Sequence, residues 1–213
     1  MGERMNTVEY IQKKFEISPE QKSPIEIRGI GRKHLADLFF ELNFKCGAEI
    51  GVEAGLYSEI ICKANPSVEL YLVDAWQWLE HRYWVTKRRV EKYYKETLDR
   101  VAPFNTHIIK KFSADAVKDF ADGSLDFVYI DADHRFDATL HDITEWSKKV
   151  RSGGIISGHD FIDRKGETTH KVKQAVCHYV KVNNIDPWFL LGAKNKAPGE
   201  YRDDSRSWMW VKS

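Results

Sequence analysis

The segment LDFVYIDADHRFDATLHD, residues 125–142, decides how this chain folds. Leu125–Ile130 is a short apolar run rich in β-branched and aromatic residues, the composition of a buried strand. It stops at Asp131, and Asp133 and His134 follow at once. From Phe136 onward the period changes, because Phe136, Leu140, Ile143 and Val150 keep the spacing of one helix face. A strand that runs into a helix, with polar groups at the junction, is half of a parallel βαβ unit.

The alternation continues in both directions. Ala48–Val52, Leu70–Val73 and Thr106–Ile109 read as strands before it, and Gly154–Ser157 as one after it. Leu35, Leu38, Phe39 and Leu42 form one helix face, and Leu56, Ile60, Ile61 and Ala64 form another that Asn65-Pro66 ends. A further helix carries Val172, Val176, Tyr179 and Val180. Parallel crossovers need helix-length connections, so the pattern predicts an α/β, Rossmann-like, doubly wound sheet with helices on both faces. The tail differs: Trp188–Leu191 and Trp208–Val211 are joined by a polar loop without a helix, which predicts a closing antiparallel hairpin. Residues 1–29, with Pro19 and Pro24, read as an arm or cap with at most one short helix around Tyr10–Phe15. Residues 30–213 read as a single domain.

Composition narrows the class of function. With 33 basic and 32 acidic residues the net charge is +1, which gives no electrostatic reason to expect nucleic acid or a membrane surface as partner. The cysteines Cys46, Cys62 and Cys177 are far apart and form no CxxC pair, so neither a disulfide framework nor a thiolate zinc site is expected. No apolar run reaches membrane-spanning length, and the charged N-terminus does not read as a signal peptide, so a cytoplasmic protein is expected. A homo-oligomer stays open.

Chemistry-bearing residues gather at the strand ends. Glu49-Ile-Gly51-Val-Glu-Ala-Gly55 closes one strand and opens a helix, where glycines admit a ligand close to the backbone. The dinucleotide pattern GxGxxG is not met, because Glu53 stands in place of its second glycine. A carboxylate there suits a cationic ligand better than a pyrophosphate. Asp74 ends the next strand, where a carboxylate can accept the ribose hydroxyls of an adenosine cofactor. Asp131, His134, His159 and Asp160 close two successive strands and should face one cleft. Between these motifs, Trp76–Val101 is dense in Trp, Tyr, Lys and Arg; Tyr83, Val90, Tyr94, Leu98 and Val101 read as the packed face of a covering helix. Trp76 and Trp78, beside the cofactor strand, are candidates for an aromatic lid.

AEIGVEAG, LYLVDAW, DGSLDFVYIDADH, GGIISGHDF and SWMWVK, in that order from about Leu35 to Val211, resemble class I S-adenosylmethionine-dependent methyltransferases. More narrowly they are similar to the branch with an IDADH…GHD signature, which includes small-molecule and sugar O-methyltransferases. The resemblance implies a seven-stranded sheet with a closing hairpin and S-adenosylmethionine as cofactor. It implies cofactor contacts at Glu49, Gly51, Gly55, Asp74, Ser113 and Ala114, with Asp131 near the methionine end, and a small-molecule acceptor. Related catechol- and caffeoyl-type enzymes hold a divalent metal on residues that match Asp131, His159 and Asp160 here, which implies Mg²⁺ or Mn²⁺. His159 departs from the carboxylate expected at its position, and Glu53 narrows the glycine loop. The arm carries none of the resemblance.

O-methylation benefits from a base, and a histidine can be neutral and basic near neutral pH. His134 and His159 are the two histidines at strand ends facing the cleft; the reading favours His134, with Asp131 and Asp133 placed to orient it. His81, His107, His141, His170 and His178 fall on predicted helices or strand starts. The competing functions are an NAD-dependent oxidoreductase and a non-catalytic nucleoside-binding module.

Overall fold

The computed structural model describes residues 6–78, 86–163 and 170–213. His81 and Tyr83 lie outside the described residues. The elements run in the order α1 (Thr7–Lys14), β1 (Ile25–Ile27), α2 (Arg32–Glu41), β2 (Cys46–Ile50), α3 (Leu56–Ala64), β3 (Glu69–Val73), α4 (Lys87–Val101) and β4 (Thr106–Ile109). Then follow α5 (Ser113–Ala116), β5 (Leu125–Ile130), α6 (Phe136–Lys149), β6 (Val150–Gly158), α7 (Val172–Val182), β7 (Trp188–Leu191) and β8 (Ser207–Val211).

Alternation along the central strands sorts side chains to two cores, because successive residues of a strand point to opposite faces. Phe127 and Tyr129 join Leu35, Phe39 and Ile61 of α2 and α3, whereas Val128 and Ile130 join Ile143, Trp146 and Val176 of α6 and α7. Phe127 stacks on Phe39 with ring centroids 3.9 Å apart. α3 ends as the sequence requires: the Asn65 side-chain amide donates to Ile61 O at 2.9 Å and to Ala36 O at 2.8 Å. That side chain satisfies an orphan carbonyl of α3 and ties α3 to α2.

The sheet order is β1-β7-β8-β6-β5-β2-β3-β4. β8 is antiparallel to both β6 and β7, and the other pairings are parallel. The closing hairpin is therefore present, with its second strand inserted between β6 and β7. The sheet has eight strands where seven were expected. The added strand, β1, comes from the arm, where Ile25–Ile27 extends the sheet edge by pairing with Phe189–Leu191 of β7. Three residues are too few for a periodic signal, so the strand was hidden in the sequence. Among the described residues, no helix is long and apolar enough to cross a membrane.

From β2 the chain moves outward through β3 to β4, then returns to place β5 on the other side of β2. The switch point lies between β2 and β5, where open α/β sheets bind ligands beyond the carboxyl ends of the strands. Ile50 pairs with Val73 and with Ile130, and Ile130 with Gly158. The strands thus end level, and Gly51, Asp74, Asp131 and His159 stand in one row.

Candidate functional site

Gly51 sits at the switch point with φ +88°, a left-handed conformation that favours glycine. A Cβ there would lie 2.1 Å from the carbonyl oxygen of Asp131, so the glycine loop and the end of β5 are in direct backbone contact. Asp74 braces the same loop: the Val52 and Glu53 N–H groups each donate to its Oδ2 at 3.0 Å, and the Trp76 N–H donates to Oδ1 at 2.8 Å. Carboxylate oxygens can accept further bonds, so Asp74 can serve a ribose while holding the loop. Gly55, also at positive φ, is the N-cap of α3.

Glu49 is buried on β2 and accepts a hydrogen bond from the Ser58 hydroxyl. Burial pushes its carboxyl from the ordinary 4.5 up to about 8; nearby Asp131 and Asp74 add to the rise, against Ser58 and Arg32. A cation entering here would favour its ionised form.

Trp76 is buried rather than free to act as a lid. Its indole Nε1–H donates to Glu53 O at 2.8 Å, and its ring packs against Tyr94 of α4 at 5.0 Å. With Trp78, Lys87, Val90, Glu91 and Lys110 it lines a cavity of about 530 Å³ beside the β3 end. Ser113 opens α5, where its hydroxyl donates to Asp142 and accepts from Trp146 Nε1–H at 2.8 Å. Its side chain holds α5 on α6, and the neighbouring Ala114 is exposed.

At the β5 and β6 ends the structure brings Asp131, His134, His159 and Asp160 together. His159 Nδ1 lies 3.6 Å from Asp131 Oδ2 and 3.4 Å from Asp160 Oδ1. His159 Nε2 is buried with no hydrogen-bond partner among the described residues. One donor atom each from Asp131, His159 and Asp160 falls within a 4.8 Å span, so the expected metal trio fits a small divalent cation in chemistry and in size. Burial would raise the Asp160 carboxyl, but the His159 and His134 imidazoles beside it outweigh that and hold it well below the usual carboxylate range. Asp160 also adopts φ +58°, unusual for a residue with a side chain.

Asp131 stands beside His134 as expected, and Asp160 stands nearer. His134 Nε2 lies 3.1 Å from Asp160 Oδ2 and 3.6 Å from Asp131 Oδ1. Asp133 turns instead to Arg135, accepting from the backbone N–H at 2.9 Å and from the guanidinium at 2.7 Å. That local loop closes more readily than a reach back to the preceding ring. Sequence reasoning missed His170: it precedes α7, its ring centroid is 4.7 Å from that of His134, and its Nε2 is 3.4 Å from Asp160 Oδ2. It lies ten positions after Asp160, and no spacing rule marks it. Arg32 was also missed; burial works against its charge, but Tyr129, Asp131 and Asp203 around it favour the cation.

A search of solved structures finds the same fold at low identity. An O-methyltransferase from Bacillus cereus in complex with SAH superposes with a TM-score of 0.59 at 14% identity, covering 85% of this chain and 80% of that one. The O-methyltransferase TomG from Streptomyces achromogenes, in complex with SAM, gives 0.57 at 14% identity over 100% of this chain and 92% of that one. A precorrin-6y C5,15-methyltransferase from Geobacter metallireducens gives 0.55 at 13% identity, covering 85% and 87%. A comparison with curated proteins finds no match. The family model described as "Methyltransferase domain" matches residues 48–161, more than half of the chain and the whole span from Glu49 to Asp160. With that match and the Rossmann-like sheet of its structural neighbours, the chain belongs to the methyltransferase-domain family.

Proposed function

We propose that the protein transfers the methyl group of S-adenosylmethionine to an oxygen of a small-molecule acceptor. The observation that carries this reading is the row of strand ends, where Gly51 abuts Asp131 and so joins the glycine loop to the acidic and imidazole cluster. The methionine ammonium and the sulfonium, both cationic, match Glu49 and Asp131, and the ribose matches Asp74. The backbone at Ser113 and Ala114 would flank the adenine, and Gly55 keeps the helix start open.

In-line displacement forms the oxygen–methyl bond as the methyl–sulfur bond breaks and the homocysteine sulfur leaves with its electron pair. Holding the reactants aligned supplies much of the acceleration. His134 takes the acceptor's hydroxyl proton, a contribution of about 10²–10⁴-fold for general bases. Asp131, His159 and Asp160 would hold Mg²⁺ or Mn²⁺, which when bound would fix the acceptor oxygen and make its proton more acidic. The NAD reading is weaker, because a dinucleotide would bring its pyrophosphate against Glu53, which stands at positive φ where the fingerprint has glycine.

Calorimetry with S-adenosylhomocysteine and with NAD, side by side on the full chain, tests the reading. The expected result is saturable binding of the first and none of the second. The reverse result would overturn it, and a labelled-methyl screen of metabolite extracts then identifies the acceptor.

A further inference from the structure

His170 poses a problem that methyl transfer does not solve. Its side chain is 2% exposed, and both ring nitrogens are buried without a hydrogen-bond partner among the described residues. Leaving buried polar atoms unmatched is costly, so such atoms call for a ligand. The ring is held in place from two sides: the Lys171 N–H donates to His134 O at 2.7 Å, and α7 starts at the next residue, Val172.

Three donors converge. His134 Nε2 and His170 Nε2 stand 3.1 and 3.4 Å from the same oxygen, Asp160 Oδ2. A charge-assisted nitrogen–oxygen hydrogen bond is shorter, about 2.7–2.9 Å. Around an ion with bonds of about 2.1 Å in a tetrahedron, neighbouring donors sit about 3.4 Å apart. The His134 distance would suit an ordinary hydrogen bond as well, but the His170 distance exceeds that range of about 2.7–3.2 Å and matches donors that share an ion. All three donor atoms lie within 4.8 Å of one another.

We infer that His134, Asp160 and His170 form a second cation site, one that takes a borderline transition ion of the Zn²⁺, Co²⁺ or Fe²⁺ class rather than Mg²⁺. Two imidazoles and one carboxylate are the donor set such ions prefer, whereas Mg²⁺ prefers oxygen. The site differs from the Asp131–His159–Asp160 trio in both of its histidines. It shares only Asp160, whose Oδ1 faces His159 while Oδ2 faces His134 and His170. The left-handed backbone at Asp160 is held where it can present one oxygen to each group. Only one consequence rests on the methyl-transfer reading: an ion here engages the imidazole assigned as base, so it inhibits.

The test uses the full chain stripped with EDTA and titrated with Co²⁺ alone, followed by visible absorption and calorimetry. Wild type should bind Co²⁺ with visible d–d bands that excess Mg²⁺ does not remove. His170→Ala should weaken that binding at least about 100-fold, since loss of even an outer-shell partner costs about 10–100-fold. His159→Ala should keep it. If His170→Ala fails to fold, His134→Ala, at a partly exposed position, must show the same loss. No Co²⁺ binding by wild type, wild-type binding by a folded His170→Ala, or displacement by equimolar Mg²⁺ would each overturn the inference. The methyl-transfer reading fails on S-adenosylhomocysteine calorimetry, which needs no metal, so the two failures are distinguishable.

Discussion

On the β2–β3 side of the cleft the chain supplies its own partners. Asp74 accepts three backbone N–H groups, Glu49 holds Ser58, and Trp76 is bonded to the glycine loop. On the β5–β6 side, His159 Nδ1 faces two carboxylates, and both nitrogens of His170 are buried without a hydrogen-bond partner among the described residues. Both sides sit at the ends of parallel strands of one sheet, so topology does not separate them. The first is completed by folding and preorganised for a ligand that adds few bonds. The second leaves polar atoms unmatched and is completed by what binds there.

The largest expected effect breaks the incomplete side. Asp160 is common to both groups of metal donors, so Asp160→Asn removes the charge that each needs. Mn²⁺ affinity by calorimetry should fall at least about 100-fold, beyond the loss seen for outer-shell changes. S-adenosylhomocysteine affinity should hold, because the residues assigned to that ligand do not include Asp160. Undiminished Mn²⁺ binding would remove the contrast between the two sides.

Next in size is the completed side. Asp74→Ala deletes hydrogen bonds to a charged acceptor, each worth about 1.5–3 kcal/mol, and slackens the glycine loop. S-adenosylhomocysteine affinity should fall about tenfold or more. Mn²⁺ affinity should stay as in wild type. If both fall together, loop and metal cluster act as one unit and the comparison needs redrawing.

Much of this was legible in the sequence. Thr106–Ile109, Leu125–Ile130 and Trp188–Leu191 match the observed strands end to end, because each is a short run rich in β-branched or aromatic residues and bounded by polar or turn residues. The strand-end residues Gly51, Asp74, Asp131 and His159 were readable because a strand followed by a helix fixes where its end points. The rest depended on contacts between distant segments. β1 is three residues long and exists by pairing with β7. Asp133 could be read as orienting His134 only while its pull toward Arg135 was unseen. His170 reaches Asp160 through the packing of α7, a tertiary placement that local periodicity does not encode.

The smallest effect sharpens the comparison from within the completed side. Glu49 is raised to about 8, first by burial and then by Asp131 and Asp74. Its folded value exceeds the ordinary 4.5, so between those limits the folded protein keeps a proton that the unfolded chain has released. Stability without ligand is therefore highest below the unfolded value and falls as pH rises toward about 8, by at most about 1.4 kcal/mol per pH unit. For a domain of this size that is about 3–6 °C of Tm per unit. Glu49→Gln keeps an acceptor for Ser58 but cannot ionise, so its Tm should be flatter between pH 5 and 8. A cationic ligand reverses the preference. S-adenosylmethionine draws Glu49 into its charged form and expels the proton, so its affinity for wild type should rise over the same interval and that for Glu49→Gln should not. Parallel Tm profiles for the two proteins would show that Glu49 is already ionised when buried. The completed side would then be a charged pocket held by Arg32, rather than a neutral one waiting for a cation.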